Sequence, residues 1–289
     1  MLKRRNGSRT ILWLMLMVSL AGFCLFYLIP FVVSFLYSVV DRPVNGVFCG
    51  LRNYKELVQN PYFLRGLHNT LKFMVISIPL NMALSLGAAA VIRSMKRYSE
   101  FFSLIFLIPL AIPSATSAFF WKNFFGLHGT LNKLFSMLGI AGIDWFNSQY
   151  STLVMVVIFI WKNIGYNMAL FLSGLSSIPE QYYEHAAMEG AGSFWRFWHI
   201  TWVYLTPTTF LVLIMTFVNS FKVFKEIYMI AGEYPPDGLY VLQYYMNHMF
   251  LSLNYPRLAS AVYILTFVIV LFVACLFRME RKLSENLSC

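Results

Sequence analysis

Charge is scarce in this 289-residue chain: Asp, Glu, Lys and Arg make up only 12% of it, against 59% apolar residues. A soluble domain carries about 25% charged residues, so the deficit excludes an ordinary water-soluble fold. Catalytic signatures are missing as well. The sequence holds no G-x-x-x-x-G-K-[ST] phosphate loop, no H-E-x-x-H and no G-x-S-x-G. His68, His128, His185, His199 and His248 are scattered over loops that the reading below puts on opposite sides of a membrane, so they do not form one metal site. Cys24 and Cys275 fall in apolar runs, Cys49 in an external loop and Cys289 at the end, without the spacing of a metal site or a disulfide framework. No catalytic residue, metal or cofactor is therefore expected on this chain. The net charge of +10 would suggest nucleic acid in a soluble protein. Beside apolar runs, basic residues set topology and meet anionic headgroups, so lipid is expected as a partner and nucleic acid is not.

Long apolar runs fill the rest. A bilayer-spanning helix needs about 20 mostly apolar residues, and six segments qualify: 11–40, 73–92, 101–121, 151–178, 202–221 and 258–277. Lys3, Arg4, Arg5 and Arg9 mimic the start of a signal peptide, but the run after them far exceeds a signal's apolar core, which predicts a retained first helix. An even number of spans puts both ends on one side. The basic ends, the 93–97 turn and the loop after span four then face the cytoplasm, in line with the positive-inside bias. Pro30, Pro79, Pro109, Pro113 and Gly165 are candidate helix breaks, which membrane proteins often place around a substrate path. The segment 122–150 is expected to carry a short amphipathic helix at the external interface.

The most informative stretch is that loop, 178–207. Pro179 either ends the preceding helix or opens the next, and in a following helix Ala186 and Gly190 would stack at i,i+4, as would Ala187 and Ala191, with Gly190 and Gly192 allowing a sharp turn. Behind them comes Ser193-Phe194-Trp195-Arg196-Phe197-Trp198-His199-Ile200, too short to span. Exposed aromatics of this kind either anchor a partner or rest on lipid as an interfacial helix.

This stretch resembles the E-A-A…G…I-x-L-P loop of permease subunits of binding-protein-dependent ABC importers. Glu184, Ala186, Gly190, Ala191, Phe197, Ile200, Thr201 and Pro207 match it, while His185, Glu189 and Trp202-Val203 depart from it. Gly50-Leu51-Arg52-Asn53-Tyr54, Asn69-Thr70, and Ser220 through Tyr228 extend the resemblance to the carbohydrate branch, similar to the maltose-type first permease. The resemblance implies an all-α integral membrane fold with six transmembrane helices, one domain over 1–289, and a coupling helix within 178–207. It further implies that Glu184, Ala186, Ala187, Glu189, Gly190, Ala191 and Phe197 meet a separate ATPase, with Glu184 paired to a basic residue there. A second homologous permease, two ATPase subunits holding ATP and Mg, and an extracellular substrate-binding protein follow as partners. The location implied is the plasma membrane of a prokaryote, multi-pass, with both termini cytoplasmic.

Polar residues inside spans either line a cavity or bond between helices. Span four carries Trp161, Asn163, Tyr166 and Asn167; span five carries Thr216, Asn219 and Ser220, with Phe224 on the face of Thr216 and Ser220. These are the candidate substrate residues. Lys162 lies too deep to snorkel easily, and either pairs with an acidic group or faces an anionic substrate; Lys225 and Glu226 are placed at the outer boundary, and Lys222 lies near them. The expected function is half of the translocation pathway of a carbohydrate importer, for oligosaccharides. Import of glycerol phosphate or acidic sugars by the same family is the alternative within the class. A stand-alone secondary transporter, or a membrane receptor binding a partner through the same loop, is the alternative outside it. No internal inverted repeat of the secondary-transporter kind is visible.

Overall fold

The computed structural model describes residues 2–95 and 98–287, with side chains over 13–95 and 98–282. The side chains of Lys3, Arg4, Arg5 and Arg9, together with Lys96, Arg97 and Cys289, lie outside the described residues. Among those described, every regular element is helical apart from one isolated antiparallel bridge, Val40 to Phe48.

The helices are α1 (Leu2–Phe23), α2 (Ile29–Ser38), α3 (Arg52–Val58), α4 (Pro61–Ser94), α5 (Ser99–Ala111), α6 (Ser114–Phe125), α7 (Thr130–Met137) and α8 (Ser151–Ser176). After them come α9 (Glu180–Met188), α10 (Ser193–Arg196), α11 (Trp202–Ser220), α12 (Phe224–Ala231), α13 (Leu242–Leu251) and α14 (Tyr255–Leu287). Five continuous helical stretches are long and apolar enough to cross a membrane: Trp13–Ser38, Pro61–Ser94, Ser151–Ser176, Ser193–Ala231 and Tyr255–Lys282. A sixth is a broken pair, Ser99–Ala111 and Ser114–Met137, bent by 94°.

That break falls at Pro113, one of the candidate breaks, within the span expected over 101–121. Pro113 cannot donate a backbone hydrogen bond and crowds the residue before it out of helical geometry. Ile112 is extended, at φ −72° and ψ 126°, and the helix restarts at Ser114. The other candidate breakers break nothing. Pro79 and Pro109 sit inside running helices, and Pro30 opens α2 after a π-helical turn that leaves Trp13–Ser38 continuous. Gly165 lies in the unbroken α8, where its role is packing: a Cβ there would overlap the carbonyl oxygen of Phe106 in α5.

The chain divides into two compact units, residues 1–63 with 246–269, and residues 64–245 with 270–289. In the first, Asn53 Nδ2 donates to the carbonyls of Ser38 (2.9 Å) and Val40 (2.8 Å), tying α3 to the end of α2. Tyr54 adds a hydroxyl bond to Ser38 Oγ at 2.8 Å. Glu56 takes Arg52 at 2.9 Å and Arg257 of α14 at 3.1 Å. These contacts explain why the Gly50-to-Tyr54 stretch stood out: it is a clamp on the loop after the first span.

In the second unit, α8 is the central element and packs against α5 and α11. Its buried side includes Met168, Phe171 and Leu175, in one cluster with Ala89 and Ile92 of α4 and with Leu205 and Val212 of α11. Lipid tails are as apolar as these side chains, so cohesion between spans comes from close packing and interhelical hydrogen bonds. Asn167 supplies such bonds, donating to Asn81 Oδ1 of α4 at 2.6 Å and to Thr216 Oγ1 of α11 at 2.7 Å. The start of α4 is pinned similarly. Asn69 Nδ2 donates to the carbonyls of Asp237 (2.7 Å) and Tyr240 (2.9 Å), and Thr70 Oγ1 accepts from the Leu242 amide at 2.9 Å.

The short helix expected in the segment 122–150 is α7. α6 continues through Lys122 to Phe125, α7 is short, and the following loop is organised by Asn132. Its Nδ2 donates to the carbonyls of Leu127 (2.9 Å) and Ile143 (2.8 Å), while its Oδ1 accepts from the Ile143 amide and Trp145 Nε1, both at 3.1 Å.

Candidate functional site

The loop after α8 begins where Pro179 caps α9. Its C-terminus is a Schellman turn: the Ala191 amide bonds the Ala186 carbonyl at 2.9 Å and the Gly190 amide bonds the Ala187 carbonyl at 3.1 Å. Gly190 takes φ +83°, a conformation a side chain resists. The expected i,i+4 stacking of Ala186 on Gly190 and of Ala187 on Ala191 is therefore not formed, because the helix ends at Met188. Ala186 instead turns inward, 8% exposed, in the core cluster with Ala89 and Ile200, and Ala191 packs against it. Glu184, Ala187, Glu189 and Gly190 stay exposed.

Two contacts hold α9 in place. Tyr183 shares a hydroxyl bond with buried Thr201 at 2.9 Å, and the Arg93 guanidinium lies over the Tyr183 ring at 5.4 Å from its centre. Beside them opens a cleft of about 540 Å³ lined by Arg93, Glu180, Glu184, Ala187, Arg196 and half-buried Phe197, among others. Ile200 and Thr201 are thus packing residues that fix the loop to its helices rather than surface ones.

The aromatic stretch is not a separate interfacial helix. α10, a π-helical turn over Phe197–Thr201, and α11 run on as one helical stretch that continues to Ala231. Phe194, Trp195, Trp198 and Trp202 are exposed along its first turns, and Trp195 stacks on His199 with ring centres 4.3 Å apart. Trp202-Val203, where the resemblance would place Leu-Pro, opens α11 directly after the π-helical turn; the proline follows at Pro207, inside α11.

The candidate substrate residues separate into two groups. Asn163, Asn167, Thr216 and Ser220 are buried. Asn167 and Thr216 bond each other, Asn163 Nδ2 donates to the Phe159 carbonyl at 2.9 Å, and Ser220 Oγ donates to the Phe217 carbonyl at 2.6 Å. Trp161, Tyr166, Asn219 and Phe224 are half-exposed. Trp161 faces the α6 aromatics, 5.5 Å from Trp121 and 6.4 Å from Phe120.

Lys162 is paired. Its ammonium meets Glu226 Oε1 and lies 3.1 Å from Ser114 Oγ, which donates to the same carboxylate oxygen at 2.7 Å. The Glu226 residue is 3% exposed, whereas Lys225 beside it is exposed. Burying the pair is tolerable because Ser114, at the first turn after the Pro113 break, gives the carboxylate a further donor. Sequence reading singled out Lys162 but not its partners. Glu226 follows a lysine near a helix end, which reads as surface, and Ser114 looked like one more small residue in a span. α11 yields to a 3₁₀ turn at Phe221–Val223 before α12, so Glu226 sits on a redirected helix start. Asn81, Asn132 and Asn69 likewise carry fold-critical bonds that periodicity gives no sign of.

Comparison with known proteins matches residues 81–288 to the family described as binding-protein-dependent transport system inner membrane component. The probable ABC transporter permease protein YurN of Bacillus subtilis is 30% identical over 276 residues, 92% of this chain and 94% of that protein. The trehalose/maltose transport system permease protein MalF of Thermococcus litoralis is 30% identical over 265 residues, 90% of this chain and 89% of that one. Among solved structures, a chain of a bacterial ABC transporter involved in import of the acidic polysaccharide alginate superposes with a TM-score of 0.83 at 21% identity, covering 97% of this chain and 98% of that chain.

Proposed function

Since the chain belongs to the family of binding-protein-dependent transport system inner membrane components, we propose that it is one permease subunit of an ABC importer for carbohydrates, forming half of the translocation pathway. The observation that carries this reading is the exposed α9 with its Gly190 turn, inside the family-matched residues and bonded through Tyr183 and Thr201 to the long helix that follows. A docking helix must be both free on its outer side and fixed on its inner side, and α9 is both. The carbohydrate assignment rests on the relatives, of which the Thermococcus protein is described as a trehalose/maltose permease.

In this reading Glu184, Ala187, Glu189 and Gly190 face an ATPase subunit, while Ala186 and Ala191 support them from within. ATP and Mg are bound and ATP is hydrolysed on two such ATPase subunits, and this chain is non-catalytic. A second, homologous permease supplies the other half of the pathway, and an extracellular binding protein delivers substrate. The 178–207 loop and both termini lie on the cytoplasmic side of a prokaryotic plasma membrane. Trp161, Tyr166, Asn219 and Phe224 are the candidate residues with surface to offer a substrate, whereas Asn163, Asn167, Thr216 and Ser220 shape the wall behind them.

The test is co-purification of the tagged chain with its co-expressed ATPase, alongside ATP-dependent uptake in proteoliposomes. Glu184→Arg, a substitution at an exposed position, is expected to abolish capture and uptake together while leaving the melting temperature of the chain in place. Full capture of the ATPase by a Glu184→Arg, Gly190→Val double variant would remove α9 from the docking surface.

A further inference from the structure

A small cavity of about 140 Å³ opens beside the Lys162–Glu226 pair, between α8 and the 3₁₀ turn that joins α11 to α12. Its polar lining is Ser114, Lys162, Lys222, Lys225, Asn163, Asn219 and Glu226. Three lysines and one glutamate line it, so two positive charges are left over, and one carboxylate oxygen, Oε1, is already engaged by Lys162 and Ser114. Among the described residues no acidic side chain lies within ion-pair distance of Lys222 or Lys225. The hydrogen-bonding inventory leans the same way. Lys222 Nζ donates to Asn219 Oδ1 at 2.8 Å, which takes one lone pair of that oxygen and leaves the amide NH₂ to donate. Each lysine offers three donors and no acceptor.

A neutral sugar hydroxyl donates as well as accepts, and its acceptors here, Glu226 Oε2 and Asn163 Oδ1, leave the excess positive charge unmatched. A carboxylate or phosphate only accepts, and its charge matches the excess. The volume, a few waters at about 30 Å³ each, suits one such group rather than a whole oligosaccharide. We propose that this cavity is an anion subsite on the translocation pathway, where Lys222, Lys225 and the Asn219 amide hold the acidic group of a charged carbohydrate. Glu226 neutralises Lys162 and keeps that lysine out of the subsite. The proposal rests on the carbohydrate-permease reading and narrows its substrate class.

The test uses the purified importer assembly and reads thermal stability against galacturonate, inorganic phosphate and glucose at matched ionic strength. The native assembly is expected to gain stability with galacturonate or phosphate and none with glucose. Lys222→Gln with Lys225→Gln should weaken that response at least about tenfold. An equal response to glucose, or a response to the anions that survives the double variant, overturns the subsite. Repeating the titration with added phosphatidylglycerol separates the sources of the anion: if that lipid alone stabilises and galacturonate does not compete with it, the occupant is a headgroup and the proposal falls. Uptake of carbohydrate by the native importer is a separate readout, so a failed subsite leaves the permease reading to stand or fall by its own assay.

Discussion

At Gly165 a single hydrogen decides how near two helices lie. The Phe106 carbonyl occupies the space a Cβ would need, and backbone cannot move aside as a flexible side chain can. Gly165→Ala is therefore expected to cost about 3 kcal/mol or more, toward the upper end of overpacking effects. Gly87→Ala, where nothing lies within 4 Å of the added carbon, is expected to be neutral or to gain up to about 1 kcal/mol from reduced chain freedom. Thermal unfolding in detergent compares the two, and equal melting temperatures would mean α5 and α8 are not packed as described. The Lys162–Glu226 pair allows a second comparison. Lys162→Met alone leaves a buried carboxylate without its counter-charge and is expected to cost about 3–5 kcal/mol. Lys162→Met combined with Glu226→Leu should recover most of that, because neither charge is then stranded. Sequence reading made Lys162 conspicuous by the cost of a charge in a span. Its partner lies 64 positions away, and nothing local to Glu226 reports that distance closing.

Among the elements, the helix ends were the least legible and are the most instructive. Gly190 was recognisable as a turn because glycine is the residue that accepts φ > 0. Leu253 takes φ +57° at the end of α13 with nothing in its side chain to announce it. It closes the same kind of turn, with the Asn254 amide on the Met249 carbonyl at 2.9 Å, before Asn254 Oδ1 accepts from the Arg257 amide at 3.3 Å to start α14. Asn254-Tyr255-Pro256 is thus a helix cap with a proline just inside it. Leu253→Gly is expected to stabilise by about 1 kcal/mol by relieving the left-handed strain, the reverse of Gly190→Ala, and paired melts would show opposite signs. The α3–α14 contact adds a pH dependence. Hydrogen bonds from Arg52 and then Arg257 hold the Glu56 carboxyl below its ordinary value. A lowered carboxyl stabilises the folded state above its unfolded pKa, and that stabilisation is lost as pH falls through the folded value. Melting followed from neutral into the acid range should therefore fall more steeply for the native chain than for Glu56→Gln. Parallel curves would show that the contact carries no linkage.

On the scale of the whole chain, membrane class, the number of apolar segments and the position of the loop after the fourth of them were all open to reading, because a bilayer imposes length and hydropathy directly. What could not be read was continuity. Pro79 and Pro113 look alike in sequence, yet one is carried inside a 34-residue helix and the other ends its helix at a 94° bend. Which outcome a proline gives depends on neighbours that satisfy the freed carbonyls, and those neighbours are distant in sequence. The same holds for Ser193–Ala231, split by sequence into an aromatic segment and a span and found as one stretch of 39 residues. At 1.5 Å per residue that is about 58 Å of helix, with irregular geometry at only two places, the π turn at Phe197–Thr201 and the 3₁₀ turn at Phe221–Val223. Mechanically it is a stiff rod between two joints. Its lower joint adjoins the loop that carries Gly190, and its upper joint carries Lys222 and leads to Glu226. A push or twist at the lower joint is therefore expected to travel along α11, through Pro207, and to reach Lys222 as a change of reach.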